Sequence, residues 1–354
     1  MKVTLDFETR SCVDLKSAGV WRYAEDPSTE VLCLSYSVNG EEPWIWFPRK
    51  FAALLPADHK LPQNHDKSIR KLLEKTEHFE AHNAEFDRAI WHHVMHKRYG
   101  FPDLPLEKLY CTAARAAMHA LPRDLARAGR ALGLDVQKDD AGHRLMLKMC
   151  KPRKPRKAEL REILERGEDP DKIVLWHEKG EDLVSLAEYC INDTRTEVLL
   201  SRRMKELPAG ERRVWLMDQK INQRGLPVDL DGIEAIISTI ANHEAALKEE
   251  FFKLAPYAPT QVAALLAWME TRGIKLPNLQ KQTVIEALRQ EELPADVRRA
   301  LEIRQSLGRS AAAKHVALQR MACSDGRVRG TMMYHGANTG RWSGKGFQPQ
   351  NLYR

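Results

Sequence analysis

The chain has 354 residues, enough for two or three domains at roughly 150 residues each. Charged residues make up 30%, mean hydropathy is -0.50, no apolar run reaches the ~18 residues of a membrane span, and the N-terminus lacks a leader-like apolar stretch, so a secreted or membrane-spanning protein is excluded on sequence grounds. The net charge of +7 sits mainly in one place: residues 298–345 hold ten Lys/Arg and two acids, a pattern suited to a polyanionic partner. The six cysteines, at 12, 33, 111, 150, 190 and 323, show no zinc-ligand spacing and no disulfide framework, which points to a reduced, cytoplasmic setting.

In chain order, Val3–Phe7, Val31–Val38, Pro43–Phe47 and His78–His82 read as strands, and a helical pattern runs from Glu85 to about Arg98. This mixture predicts an α/β domain with a mixed or parallel sheet under helical cover. Residues 151–182 are rich in Pro, Lys and Glu and read as a surface excursion, and the basic block Lys148–Lys157 reads as an exposed loop. A helix is expected from Leu183 to Glu206, with its apolar stripe at Leu183, Ala187, Cys190 and Val198. Pro208-Ala209-Gly210 breaks it and sets the expected boundary between segments 1–207 and 208–354. Beyond it, helices are expected over 211–224, 231–254, 260–272, 281–290 and, as one long helix, 294–321. A strand-like piece follows at Val328–Met333, then a loop-like end.

Asp6 and Glu8 lie two apart on a predicted strand, so both point to one face of the sheet. Adjacent carboxylates repel unless a cation lies between them, and hard divalent ions such as Mg²⁺ take oxygen ligands of this kind. Asp87 follows a predicted strand in HNAEFD. Tyr189 and Asp193 are four apart on the predicted helix and share a face beside its apolar stripe. An Asp-x-Glu pair alone is a weak signal, because most such pairs are solvated surface; the order of the whole set is the specific one.

LDFET (5–9), HNAEFD (82–87) and YCINDT (189–194) resemble the three motifs of the DEDD-type 3′→5′ exonucleases, in the tyrosine subtype. The resemblance covers roughly residues 1–205 and implies an RNase H-like fold, a mixed sheet flanked by helices. It also implies that Asp6, Glu8, Asp87 and Asp193 hold two Mg²⁺ ions, with Mn²⁺ as a substitute. Tyr189 would position the attacking water, and Asn83 and Phe86 would hold a single-stranded 3′ end. Two ions would supply charge to the attacking and leaving oxygens of the phosphodiester. A phenol with an ordinary pKa near 10 is a poor general base at neutral pH, so orientation is the expected role of Tyr189.

ERRVWLMDQKINQRGLPVD (211–229), APTQVAALLAWMETRGI (258–274) and GANTGRWSGKGFQPQNLYR (336–354) are similar to segments of the family A, DNA polymerase I-like, DNA polymerases of phage and prophage type. That likeness implies a mainly helical thumb and the start of a palm. Its primer–template duplex would be gripped by Arg341, Gln350 and Asn351. Arg304, Arg309, Lys314 and Arg320 lie along the predicted long helix and could track a phosphate backbone. Gly336, Gly340, Gly344 and Gly346 would permit close backbone approach to a ligand.

After Asp325 the sequence has no Asp or Glu, so the paired carboxylates of a polymerase palm are expected to lie beyond it. No polymerisation is expected from this chain alone, which reads as a truncated or split polymerase; a separate chain carrying the palm stays open as a partner. The implied activity is therefore proofreading exonuclease in DNA replication, with DNA as partner and no membrane. Two alternatives stay open: a catalytically silent DNA-binding remnant, and an RNA-trimming exonuclease of the same superfamily. His92 and His96 have metal-ligand spacing but no HExxH pattern, and read as ordinary helix residues. Asp139 and Asp140 near Gly142 read as a turn, and Trp44 and Trp46 as strand packing.

Overall fold

Lys2–Arg10 alternates at period two and forms strand β1 of the computed structural model, which describes residues 1–135, 139–308, 311–337 and 339–348. Val3, Leu5 and Phe7 enter one hydrophobic core, while Thr4, Asp6 and Glu8 take the opposite face. Helix α1 (Leu15–Glu25) follows, capped by Asp14, whose carboxylate accepts the Ser17 N–H at 2.7 Å. Strand β2 (Glu30–Val38) runs antiparallel to β1, and β3 (Trp44–Trp46) antiparallel to β2. Glu8 pairs with Cys33 and Thr9 with Val31, so the register slips by one residue just after Glu8. Trp46 is 3% exposed and Trp44 is 43% exposed, so only the first packs into the core.

Helices α2 (Arg49–Ala52) and α3 (Asp66–Glu74) lead to β4 (His78–Ala81), which lies parallel to β1 on the side away from β2. Helix α4 (Glu85–Ile90) runs on into a π-helical turn, Trp91–His96, and β5 (Leu109–Cys111) pairs parallel to β4. The sheet order is β3-β2-β1-β4-β5, two antiparallel and two parallel pairings, which is the mixed sheet the sequence predicts. His96 donates through Nδ1 to the Phe101 carbonyl (2.8 Å), so this ring nitrogen is already engaged.

Further cover comes from α5 (Thr112–Met118), α6 (Leu125–Ala131), α7 (Asp140–Met149), α8 (Lys157–Glu165) and the long α9 (Gly180–Arg203). Leu183, Leu186, Ala187, Cys190 and Ile191 of α9 pack with Leu32, Cys33, Ile45 and Phe47 on the sheet face opposite the Val3–Leu5–Phe7 core. All four residues of the predicted α9 stripe are buried. The turn expected at Asp139–Asp140 is instead a helix start: Asp139 caps α7 by accepting the Gly142 N–H at 2.6 Å. The basic block is not all free surface either. Lys148 pairs with Asp182 at 3.0 Å, and Arg153 forks onto both oxygens of Glu159 at 2.7 and 2.6 Å.

Pro208 opens helix α10 (Ala209–Arg224), which buries Trp215 in the first core; Gly225 ends it and β6 (Leu226–Pro227) follows. The chain then forms a second unit, residues 228–320, while 1–227 and 321–354 make up the first. The Pro208 boundary read from the sequence thus falls inside the first unit. The second unit contains α11 (Leu230–Leu254), α12 (Val262–Glu270), α13 (Lys281–Leu288) and α14 (Ala295–Leu307), packed around Phe251, Leu265, Met269, Val297 and Leu301. The single helix expected over 294–321 is two: α14 is capped at Gly308, the residue type with the weakest helix propensity after Pro, and α15 spans Ala311–Met321. Back in the first unit, β7 (Arg327–Val328) pairs with β6, and β8 (Met332–Met333) with β9 (Ser343–Gly344).

The first unit is tied together by one buried cation. Arg115 of α5 donates to Glu80 Oε1 of β4 (2.6 Å), to Ser201 Oγ (3.0 Å) and the Ser201 carbonyl (2.8 Å) of α9, and to the Met204 carbonyl. Burial alone would raise the Glu80 carboxyl, but the His78 ring, Lys2 and Arg115 outweigh it and hold it at about 2. His78, Glu80 and Glu206 lie close enough to suggest a cation site, but Lys2 (2.7 Å from Glu80) and Arg115 (3.2 Å from Glu206) already supply the charge. Arg115→Ala leaves Glu80 buried with the His78 ring and Lys2 but without its Arg115 partner, strips Ser201 and Met204 of the same donor, and should cost about 3–5 kcal/mol in a urea melt at pH 7. An unfolded Glu titrates near 4.5, so this contribution is full above that pH and is lost as pH falls from about 4.5 to about 2. Over that window wild-type stability should fall by about 3 kcal/mol through Glu80, and by less in Arg115→Ala, which loses one of the three groups that hold Glu80 down.

Candidate active site

The alternation of β1 that sends Val3, Leu5 and Phe7 into one core leaves Asp6 and Glu8 on the face covered by α9. There Cys190 of α9 donates its S–H to Asp6 at 3.4 Å, and the oxygens of Asp6 and Glu8 and the Cys190 sulfur lie within 4.8 Å of one another. One turn on, Asp193 accepts the Tyr189 hydroxyl, as the four-residue spacing predicts. Asp87 enters from the other side. Lys2, Val3 and Thr4 pair with His78, Phe79 and Glu80, so the end of β4 comes level with Asp6. Asn83, at φ 62°, then turns the chain, and Asp87 falls in the first turn of α4.

The four carboxylates are linked by electrostatic influence, Asp193 acting on Asp6 and Glu8, and Asp6 on Glu8 and Asp87. Burial raises Asp6 to about 8, with the Asp193 charge adding to it. Burial and then Asp6 push Glu8 up, and the same two causes push Asp87 well above the usual carboxylate range. Burial lifts Asp193 to about 6, against the Tyr189 hydrogen bond that lowers it. Among the described residues no Lys or Arg forms an ion pair with any of the four. Asp87 is 1% exposed, and its Oδ1 has no hydrogen-bond partner among the described residues. An orphaned buried carboxylate oxygen beside three mutually repelling carboxylates is an arrangement that a hard cation would satisfy. Burial, followed by the Asp193 charge, raises the Tyr189 phenol above its ordinary value, so it stays protonated at neutral pH.

Residues absent from the sequence reading support this patch. His82 lies between the Arg123 carbonyl (Nε2, 2.7 Å) and Thr112 Oγ1 (Nδ1, 2.8 Å), and Thr112 in turn meets Glu197 Oε1 at 2.9 Å. Burial pushes His82 down to about 4, so its ring is neutral at pH 7, and burial followed by the Glu80 charge pushes Glu197 up. Thr112 donates through Oγ1 to Glu197, and His82 Nε2 donates to the Arg123 carbonyl. This chain fixes the end of β4 immediately before Asn83. Glu197 lies four residues after Asp193 on α9, a spacing that could have flagged it.

The remaining expected site residues divide. Asn83 is exposed, and Phe86 is half-buried with its ring 6.3 Å from Tyr23. Arg341 is exposed, on the segment between β8 and β9, where its carbonyl accepts the Ala337 N–H at 3.0 Å. Gln350, Asn351 and Arg309 lie outside the described residues. Arg304 is turned inward within its own unit and donates to the Pro259 carbonyl. Gly336, read as leaving room for a ligand, is instead filled by the protein: a Cβ there would meet Ser343 Oγ at 2.0 Å. The segment is bolted down by Trp342, whose Nε1–H donates to Asp218 Oδ1 at 2.9 Å, and by Lys345, 3.6 Å from Glu85. A shallow groove along α10, lined by Arg213, Leu216, Met217, Lys220, Ile221 and Arg224, includes none of the site carboxylates.

No family model matches the chain. In sequence it is 32% identical over 355 aligned residues to the DNA polymerase of Bacillus phage SP02, an alignment that takes in 99% of this chain and 51% of the relative. Among solved structures, the POL domain of Pol1 from M. smegmatis, in complex with DNA primer-template and dNTP, superposes with a TM-score of 0.46 at 14% identity, over 99% of this chain and 52% of that one. The structural likeness is too slight to bear on function. The chain spans about half the length of the curated relative it matches. Over nearly its whole length the chain is similar in sequence to a phage DNA polymerase.

Proposed function

We propose that residues 1–207 form a divalent-metal-dependent 3′→5′ exonuclease of the DEDD type, RNase H-like in fold, that proofreads DNA. The observation that carries this reading is the convergence of Asp6, Glu8, Asp87 and Asp193 in one buried patch with no ion-paired Lys or Arg among the described residues. The mixed sheet under helices supports the fold assignment. The phage relative, itself named a DNA polymerase, supports DNA as the substrate.

Asp6, Glu8, Asp87 and Asp193 would hold two Mg²⁺ or Mn²⁺ ions. When bound, such ions supply positive charge to a phosphodiester in its transition state and ease deprotonation of water. The chain's own residues do the rest. Tyr189 keeps its proton on Oη and gives it in a hydrogen bond to Asp193, so its oxygen can orient a water but cannot take a proton from it. Asn83, exposed at the β4–α4 turn, and Phe86 would hold the terminal nucleotide. Residues 208–354 would serve as thumb and start of palm, with Arg341, Gln350 and Asn351 on the primer–template duplex.

The test is hydrolysis of a 5′-labelled DNA strand by the purified chain with Mg²⁺, beside an RNA strand of the same sequence. A ladder shortening from the 3′ end is expected, faster on DNA and abolished by EDTA. Asp6→Ala should slow it about a thousandfold or more, since losing several kcal/mol of charge stabilisation costs that much in rate. Full activity in Asp6→Ala would overturn the assignment, and equal or faster cutting of RNA would overturn the substrate. Cation binding has its own readout. Mn²⁺ at a hundred times its Kd should stabilise the wild type by about 2.7 kcal/mol in a thermal melt, and Asp87→Ala should lose most of that shift.

A further inference from the structure

Helix α7 carries none of the motif residues, yet its first turn lies against Tyr189. A Cβ built on Gly142 would stand 2.4 Å from Tyr189 Cδ2, far inside van der Waals contact. The helix is held there by its cap, because Asp139 Oδ1 accepts the Gly142 N–H at 2.6 Å. We propose that Gly142 is a positioning residue: its missing side chain lets α7 close against the ring of Tyr189 and fixes where the hydroxyl stands beside Asp193. The proposal rests on the exonuclease reading, in which Tyr189 orients the attacking water. It adds a wall to the site from an element that none of the three motifs contains.

The contact, not helix propensity, explains a glycine at this position. Alanine is the better helix former, so without the ring Gly142→Ala would be neutral or favourable apart from its effect on the cap. That effect has an internal control. In the second unit, Asp229 caps α11 through the Gly232 N–H at 2.9 Å, and a Cβ on Gly232 would meet Asp229 Oδ2 at 2.5 Å, much as one on Gly142 would meet Asp139 Oδ2 at 2.4 Å. The three atoms nearest to a Cβ on Gly232 all belong to Asp229, so no tyrosine comes closer than 3.4 Å. Gly232→Ala therefore reports the cap alone, and Gly142→Ala reports the cap plus the ring.

The experiment is a cycle on the full chain with Gly142→Ala, Tyr189→Ala, the double variant and Gly232→Ala, each followed by thermal melting and by hydrolysis of a 5′-labelled DNA strand. Gly142→Ala should melt below Gly232→Ala, and that deficit should disappear in the Tyr189→Ala background. Turnover by Gly142→Ala should fall about tenfold to a hundredfold with KM for DNA unchanged, as expected for an ångström-scale misplacement of an orienting group. It should fall no further when added to Tyr189→Ala. If Gly142→Ala alone fails to fold, recovery of folding in the double variant supports the contact, and failure in both overturns it. Equal melting deficits in the two backgrounds, or undiminished turnover in a folded Gly142→Ala, would also overturn the proposal. A wild-type chain that cuts neither DNA nor RNA overturns the nuclease reading instead, and the melting cycle, which needs no activity, then decides the contact by itself.

Discussion

Negative charge buried without a paired cation is the constraint around which the first unit is arranged. Asp6 and Glu8 sit on the α9 face of a central strand, Asp193 reaches in from α9 and Asp87 from the start of α4. Burial raises the proton affinity of all four, and the charges of Asp6 and Asp193 raise that of their neighbours further. Such a patch works against folding, and it persists only where the surrounding packing over-determines it. Here the packing comes from two cores on opposite faces of one mixed sheet and from the Arg115 network, which locks β4, α5 and the end of α9 together.

Two kinds of buried acid therefore coexist within one sheet. Glu80 is met by Lys2 and Arg115 and is held strongly acidic, which makes it a structural tie. Asp87 is buried, is pushed up by burial and the Asp6 charge, and among the described residues has no hydrogen-bond partner for its Oδ1. The contrast separates scaffold from site on physical grounds. A satisfied ion pair stabilises an arrangement, whereas an unsatisfied cluster is poised to take a ligand. The hydrogen-bonded chain Glu197–Thr112–His82 lies beside the cluster and fixes the backbone there.

Most differences from the sequence reading arise where a local signal has two outcomes. Asp139 and Gly142 carry the residue types of a turn, and the same residues make a helix cap when a helix follows. The glycines near 340 look like room for a ligand, yet Ser343 fills the space at Gly336. Charges along 294–321 look like a continuous basic ridge, but Gly308 ends one helix, and Arg304 and Arg299 are engaged by Pro259 and Glu250 within their own unit. Composition and spacing record what a segment can do; its neighbours select among the options.

By itself the sequence determined the period-two strand bearing Asp6 and Glu8, the stripe that buries α9, the spacing that pairs Tyr189 with Asp193, and the kinship with DNA polymerases. These are legible because they depend on residues a few positions apart, where helix and strand geometry alone dictate direction. Tertiary structure alone decided that Asp87 meets Asp6, that Glu80 is neutralised while Asp87 is not, and that α7 abuts Tyr189 at Gly142. Each of those depends on strand order, parallel register and helix packing between residues tens of positions apart. The energy of a buried charge is set by whichever groups that packing brings within a few ångströms.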